Sequence, residues 1–424
     1  MKVNIEKNGV DKLYLRFRDN ISIYYFGKHY IADYNGSTIG FLDENDIKII
    51  KLVNGYRTAE QIKEILCNNT KMKEDQIENC IQKIIKNGIV IKRKYQSESE
   101  VIYKGEKGKY FPKDILIELT NLCNFQCPFC YKEASFKGVF INDELIEKIK
   151  KIIGNNVDNI LLTGGEPTLH PNIEKYIVDF SMLANVRMNT NGSKIYELDK
   201  DILKMLKNIQ ITLYGTDDNE YFHTTGIKDG FSKVKKTMIF LNKWEIQNSM
   251  AITLNSETIG RLEEYVLTAI NLGCKVLKIG QADLFGREKN KIITLEYEKQ
   301  IENIDRNIKE MKAKYRGEIY INTNYTEYNI NKIDPYFLGK FLKCGSGFER
   351  MTISQNGRIR ACECFDEKIF DMGDLDDFEK FINGRMNFEK FNSAVVQMYK
   401  MCNCKIDNLP CDALREYCFN HIAT

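Results

Sequence analysis

The sequence predicts an α/β protein: a partial (β/α)6 barrel, with a small α+β unit before it and a cysteine-rich region after it. Three observations carry that prediction. Six apolar strand-like runs alternate with helical stretches between residues 112 and 290. Alternation of this kind makes a parallel sheet. The first 92 residues instead run through several short strands before they turn helical, and seven of the thirteen cysteines crowd the last fifth of the chain. At 424 residues, two or three domains are expected.

The first unit spans 1–92. Leu13, Leu15 and Phe17 alternate with Tyr14, Arg16 and Arg18, as a half-buried strand does. ISIYYF (21–26), HYIADY (29–34) and STIGFL (37–42) follow, broken by Gly27 and by the hairpin signal Asn35-Gly36. Thr58 and Gln61 form a capping box ahead of Ile62, Ile65 and Leu66. Ile77, Cys80, Ile81, Ile84 and Ile85 mark an amphipathic helix that Asn87-Gly88 stops. GIVIK (88–92) closes the unit as a strand. Residues 93–111, KRKYQSESEVIYKGEKGKY, are polar and charged and read as a linker.

The barrel is placed at 112–315, with strands at ILIELT (115–120), NILLT (159–163), VRMNT (186–190), IQITLY (209–214), MAITLN (250–255) and KVLKIG (275–280). Helices such as ELIEKIKKII (144–153) and IGRLEEYVLTAINLG (259–273) separate them. Sites on such folds lie beyond the carboxyl ends of the strands, so the loops there are the ones to read. The cysteine-rich region is placed at 316–424.

Charge excludes several classes. The 62 Lys+Arg nearly balance 59 Asp+Glu, for a net +3, which argues against a nucleic-acid partner. No 18-residue apolar run exists, and MKVNIEKNGV lacks the apolar stretch of a signal peptide. A cytoplasmic chain with no membrane partner is expected. In a reducing compartment, clustered cysteines point to metal or redox chemistry rather than disulfides.

The first strand runs into NLCNFQCPFCY, giving CxxxCxxC at Cys123, Cys127 and Cys130. Three thiolates so close can hold one metal centre. Structural zinc prefers four ligands, whereas a 4Fe–4S cluster can take three cysteines and leave one iron open. The second strand ends in TGGEPTLH, where Gly164 and Gly165 let backbone approach a ligand, Glu166 carries a carboxylate and Pro167 fixes the turn.

Together these two motifs resemble the radical S-adenosylmethionine superfamily, over roughly 112–290. The resemblance implies that Cys123, Cys127 and Cys130 hold a 4Fe–4S cluster whose fourth iron is chelated by S-adenosylmethionine, which is cleaved reductively to a 5′-deoxyadenosyl radical. It places Phe129 near the adenine and Gly164, Gly165, Glu166 and Pro167 against the methionine amino group. Asn191, Thr212 and Asn255 take ribose or carboxylate contacts, and Leu284 lies near the adenine. A reductant such as flavodoxin or ferredoxin is implied.

In the C-terminal region twelve residues separate Cys344 from Gly357 and four separate Gly357 from Cys362. MTISQNGRIRA reads as a hairpin turned by Asn356-Gly357. The pattern resembles the SPASM extension and implies one or two auxiliary 4Fe–4S clusters on Cys344, Cys362, Cys364, Cys402, Cys404, Cys411 and Cys418. The closing spacing departs from the usual SPASM pattern, which leaves the assignment of cysteines to clusters open, and four close cysteines also suit zinc.

The first unit resembles a PqqD-like recognition element with winged-helix-like topology, in which a precursor's leader peptide adds a strand to the sheet edge. A DNA-binding winged helix fits worse, because residues 1–90 hold 14 Lys+Arg against 12 Asp+Glu. The combined reading is an enzyme: a SPASM-type maturase that binds a ribosomal precursor peptide through 1–92 and forms an oxidative crosslink, foremost a thioether from cysteine sulfur to carbon (sactipeptide or ranthipeptide type). Carbon–carbon or carbon–oxygen crosslinks, formylglycine formation by a sulfatase-type maturase, and a zinc-stabilised peptide-binding protein are the alternatives. Of the four histidines, His170 reads as a loop stabiliser and His223 as a loop histidine. Cys67, Cys80 and Cys274 read as core residues.

Overall fold

The computed structural model describes residues 12–27, 29–34, 37–254, 258–281, 287, 295–323, 350–360, 363 and 372–384. They fall into two compact units, one running to Phe111 and the other starting at Pro112.

In the first unit, β1 (Tyr14–Phe17), β2 (Ile21–Phe26), β3 (His29–Tyr34) and β4 (Ser37–Leu42) precede α1 (Glu44–Ile50), α2 (Ala59–Asn69) and α3 (Glu74–Lys86); β5 (Val90–Arg93) and β6 (Ile102–Lys104) follow. One sheet runs β4-β3-β2-β6 and a separate pair joins β1 to β5. The hairpin signal at 35–36 lies outside the described residues, but β3 and β4 pair down to Tyr34 opposite Ser37. Helices α1 and α2 begin where the sequence provides a cap. Asp43 accepts from Asn45 and Asp46 N–H, and Thr58 with Gln61 forms the expected capping box. Helix α3 buries Ile77, Ile81 and Ile84 in one core that also holds Ile23, Ala32 and Leu42, and Gly88 (φ 71°) turns the chain out of it.

Two expectations change here. Cys67 is exposed, because α2 buries Ile62 and Leu66 and the next residue is rotated off that stripe. The polar stretch 93–111 is also built into this unit. Ser99 Oγ accepts from Phe17 N–H at 2.7 Å, Ser97 and Ser99 donate backbone bonds to Gly55 and Asn54, and β6 lies parallel to β2. A Cβ on Gly55 (φ 84°) would strike the Ser97 carbonyl. Composition hid this order, since serines paired through backbone and hydroxyl groups look like a linker.

The second unit contains β7 (Asp114–Glu118), α4 (Asp143–Ile153), β8 (Asn159–Thr163), α5 (Ile173–Ser181), β9 (Asn185–Thr190), α6 (Lys200–Leu203), β10 (Asn208–Thr212), α7 (Asp218–Thr225), α8 (Gly230–Lys243), β11 (Asn248–Leu254), α9 (Leu262–Asn271), β12 (Val276–Gln281), α10 (Leu295–Lys314), β13 (Tyr320–Thr323), β14 (Arg350–Ile353), β15 (Ile359–Arg360) and α11 (Leu375–Ile382). All six expected strands form, in the parallel order β7 to β12. The sheet continues past residue 315, where β13 pairs with β12. On its other edge β14 lies parallel to β7, with Met351 opposite Ile115 and Ile353 opposite Ile117. The expected hairpin at Asn356-Gly357 is β14–β15, with Gly357 at φ 74°.

Side-chain alternation gives this sheet two unlike faces. Ile115, Ile117, Ile160, Leu162, Val186, Met188, Ile209, Ile211, Leu277 and Ile279 are all fully buried. The positions between them carry Leu116 and Leu161 on the first two strands and Arg187, Gln210 and Lys278 on later ones, and Asp114 precedes Ile115. Six pairings separate β12 from β14 in the sheet order, about 29 Å if the sheet were flat. Yet Lys278 on β12 lies within electrostatic reach of Arg350 on β14. The sheet is therefore curled, and its polar row lines the concave side: a partial barrel.

Candidate active site at the carboxyl ends of the strands

The loop after β7 is held in place mostly by its backbone. Cys123 N–H donates to Ser135 O at 2.8 Å, Gln126 N–H to Thr225 O at 3.0 Å and Cys130 N–H to Cys127 O at 3.2 Å. Cys123, Cys127 and Cys130 are free thiols, the first two buried. Burial and the nearby Glu166 carboxylate push the Cys123 thiol up to about 12. Burial, then Cys130 and Cys123, raise Cys127 further. Gathering three thiolates is costly until a cation joins them, and a bound metal reverses that cost.

The segment after β8 lies directly against this loop. Gly165 N–H donates to Thr120 O at 2.7 Å and Glu166 N–H to Leu122 O at 2.9 Å. A Cβ on Gly164 (φ 143°) would collide with the Thr120 carbonyl, and one on Gly165 with the Leu122 carbonyl. The two glycines are thus required by the close approach of two backbones. Among the described residues no hydrogen bond reaches the Gly164 or Gly165 carbonyls, which leaves two acceptors for an amino group.

Glu166 does not offer its carboxylate to a ligand. It is fully buried; Oε1 accepts from Thr168 N–H at 3.1 Å, Thr168 Oγ1 at 2.5 Å and Thr190 Oγ1 at 2.7 Å, and Oε2 accepts from Asn191 N–H at 2.7 Å. Burial raises its pKa while these donors oppose the rise. Pro167 begins the short 3-10 turn that aligns Thr168. Asn191 is buried beside the cluster loop, its Nδ2 2.8 Å from Asn124 Oδ1 and 4.0 Å from Cys123 Sγ. Thr212 closes β10, and its carbonyl accepts from Tyr221 OH at 3.5 Å. Asn255, Leu284 and Cys344, Cys362, Cys364, Cys402, Cys404, Cys411 and Cys418 lie outside the described residues.

Two residues at the site carry no sequence signal. The Tyr214 phenol lies within electrostatic reach of the Cys127 thiol, and its ring stacks on Phe129 (6.1 Å between centroids, 25°) and meets Phe125 edge-on. Burial, then the three thiols, raises the Tyr214 phenol well above its ordinary range. Arg287 donates from its backbone to Cys130 O at 3.2 Å and from Nη1 to Cys127 O at 2.7 Å; its Nη2 reaches Ala134 O. Tyr214 was visible only as the last residue of a strand. Arg287 sits 157 positions beyond Cys130 in sequence.

A further buried network supports the loop. Glu118, at the end of β7, pairs with Lys132, two residues beyond Cys130, and with Arg360 on β15. His170 stabilises its loop as expected: its ring nitrogens meet Ile141 O at 3.0 Å and Asn172 N–H at 3.1 Å. His223 is exposed on α7.

Among the described residues, no three His, Cys, Asp or Glu side chains converge on a point that would hold a single ion. Residues 117–267 match the family model described as the Radical SAM superfamily. This part of the chain is a radical SAM domain.

The similarity extends beyond the domain. Over 402 residues the chain is 23% identical to the antilisterial bacteriocin subtilosin biosynthesis protein AlbA of Bacillus subtilis, spanning 91% of this chain and 83% of AlbA. It is 25% identical over 269 residues to the sporulation killing factor maturation protein SkfB of the same organism, covering 62% of this chain and 63% of SkfB. The fold resembles Streptococcus suis SuiB bound to S-adenosylmethionine, with a TM-score of 0.59 at 16% identity over 87% of this chain and 89% of SuiB. SuiB is also known bound to its precursor peptide SuiA, a structure that the chain matches at a TM-score of 0.53. Among the described residues no helix is long and apolar enough to cross a membrane.

Proposed function

We propose that the chain is a radical S-adenosylmethionine maturase of a ribosomal precursor peptide, forming an intramolecular thioether between a cysteine sulfur and a carbon of the peptide core. The observation that carries this reading is the junction of the two loops: three free thiols, two of them buried, sit beside a glycine pair whose carbonyls remain available. The names of AlbA and SkfB, a bacteriocin biosynthesis protein and a killing-factor maturation protein, favour a peptide substrate. So does the likeness to SuiB, whose partner is a precursor peptide.

In this reading Cys123, Cys127 and Cys130 hold a 4Fe–4S cluster, Gly164 and Gly165 receive the amino group of S-adenosylmethionine, and Phe129 with Tyr214 walls the adenine side. Glu166 and Asn191 lock the ends of β8 and β9 so that the glycines keep their position. When bound, the cofactor pair supplies a radical that removes a hydrogen atom from the substrate. Thr212, Asn255 and Leu284 complete the cofactor contacts. Cys344, Cys362, Cys364, Cys402, Cys404, Cys411 and Cys418 would hold one or two auxiliary clusters able to take up an electron, and a flavodoxin or ferredoxin would supply the reducing electron. Residues 1–92 bind the leader, with β4 the edge strand of the β2–β4 meander and α3 in the same core.

The test is co-expression with a small peptide encoded beside the gene, followed by mass spectrometry. The reading predicts a product lighter by two hydrogens per crosslink, with one cysteine thiol lost to alkylation for each. The same mass loss with every thiol still reactive would replace the thioether by a carbon–carbon or carbon–oxygen bond.

A further inference from the structure

Two segments that the sheet order keeps far apart meet at one side chain. Five strand pairings separate β7 from β12, about 24 Å if the sheet were flat. Arg287, which follows β12, nevertheless reaches the loop after β7 at three carbonyls. Its backbone N–H donates to Cys130 O at 3.2 Å, its Nη1 donates to Cys127 O at 2.7 Å, and its Nη2 donates to Ala134 O.

Those carbonyls belong to a run of tight turns. Cys130 N–H donates to Cys127 O and Glu133 N–H to Cys130 O, both at 3.2 Å. A carbonyl oxygen has two lone pairs, and Arg287 supplies the second donor at both Cys127 and Cys130. Glu133 turns the chain at φ 51°, a left-handed conformation that is unfavourable for a residue with a Cβ. The carbonyl of the next residue, Ala134, is the one that Nη2 holds. A guanidinium is a rigid planar fork, so a single side chain spans Cys127 and Ala134 and closes the loop between them.

We propose that Arg287 is a positioning residue that ties the segment after β12 to the cluster loop, so that two sets of cofactor contacts are held in register. One set is the three thiols, and the other is Leu284, three residues before Arg287. The inference rests on the maturase reading, which gives the thiols to the cluster and Leu284 to the cofactor. It assigns the role to the fork rather than to the charge, because a lysine ammonium is a point charge on a flexible stem and presents no fixed pair of donors.

The experiment uses the full-length protein and the variants Arg287→Lys and Arg287→Gln, each checked for folding by circular dichroism. In the cluster-free state, amide hydrogen exchange is read by mass spectrometry on peptides covering 127–134, with peptides from β9 and β10 as the internal standard. Both variants should exchange about tenfold or more faster in the loop, the factor expected for losing one charge-assisted hydrogen bond, and at the wild-type rate in the two strands. After iron reconstitution, both should bind S-adenosylmethionine about tenfold more weakly at unchanged iron content. Loop exchange equal to wild type in the folded variants would overturn the proposal, and so would a lysine variant that matches wild type, which would reduce the residue to its charge. Faster exchange with unchanged S-adenosylmethionine affinity would overturn it as well, leaving Arg287 a brace for the loop alone. A wild-type protein that binds no S-adenosylmethionine would instead sink the maturase reading, and the exchange measurement still decides whether Arg287 holds the loop.

Discussion

The Glu166 carboxylate accepts the Asn191 backbone N–H at 2.7 Å and so joins the end of β8 to the end of β9. The same side chain takes three further hydrogen bonds from Thr168 and Thr190 while fully buried. Glu166→Ala strands these donors. We expect a loss of about 3 kcal/mol, since each buried group left unmet costs about 1–3 kcal/mol. Denaturant melts of the metal-free protein check this, and a variant as stable as wild type would show that the carboxylate is not structural.

Glu118 is the only carboxylate paired with both Lys132 and Arg360 among the described residues. All three side chains are largely buried. Removing the shared carboxylate of such a group is strongly destabilising, about 3–5 kcal/mol, because two largely buried cations lose their common counter-charge. Glu118→Ala should therefore lower stability more than Glu118→Ala combined with Lys132→Met and Arg360→Met. Comparing the melts of the two variants decides it; equal losses would mean the ions are already solvated.

The Tyr214 phenol stands within electrostatic reach of the Cys127 thiol. A hydroxyl that donates to a ligating thiolate favours the more negative, reduced cluster. Tyr214→Phe keeps the ring on Phe129 and removes that hydroxyl, so the reduction potential should fall by on the order of 60 mV, taking about 1.4 kcal/mol for one electron. Redox titration followed by electron paramagnetic resonance measures it, and an unchanged potential would remove Tyr214 from the cluster's surroundings.

His170 sets a pH dependence. Because Nδ1 accepts from Asn172 N–H, the proton resides on Nε2, which donates to Ile141 O. Burial lowers the pKa from the ordinary 6.5. The unfolded chain then takes up a proton before the folded one does, so this contribution is complete above about pH 6.5 and is lost as pH falls through the lower folded value. His170→Gln should melt with a shallower dependence between about pH 7 and pH 5 than wild type. Identical slopes would place the acid sensitivity elsewhere.

Much of this arrangement was legible in the chain itself, because its signals are local. Strand and helix alternation placed β7 to β12, and CxxxCxxC with GGEP marked the two loops that meet. Thr58 with Gln61 and Asn87-Gly88 marked the ends of helices. What escaped was long-range. Arg287 returns to Cys127 and Cys130 from a loop far along the chain, Arg360 crosses from the C-terminal hairpin to Glu118, and β14 joins the edge beside the first barrel strand. No periodicity records such pairings. Glu166 shows a different gap: its position was evident, but whether its carboxylate faced a ligand or the protein depended on Thr168, Thr190 and Asn191.

The most direct measurement is 5′-deoxyadenosine formation by the anaerobically reconstituted protein given S-adenosylmethionine and dithionite. The wild type should produce it, and the variant with Cys123, Cys127 and Cys130 all replaced by Ala should produce none while keeping the circular dichroism of the folded chain. Cleavage that persists in the folded triple variant would contradict the assignment of those three thiols to the reactive cluster.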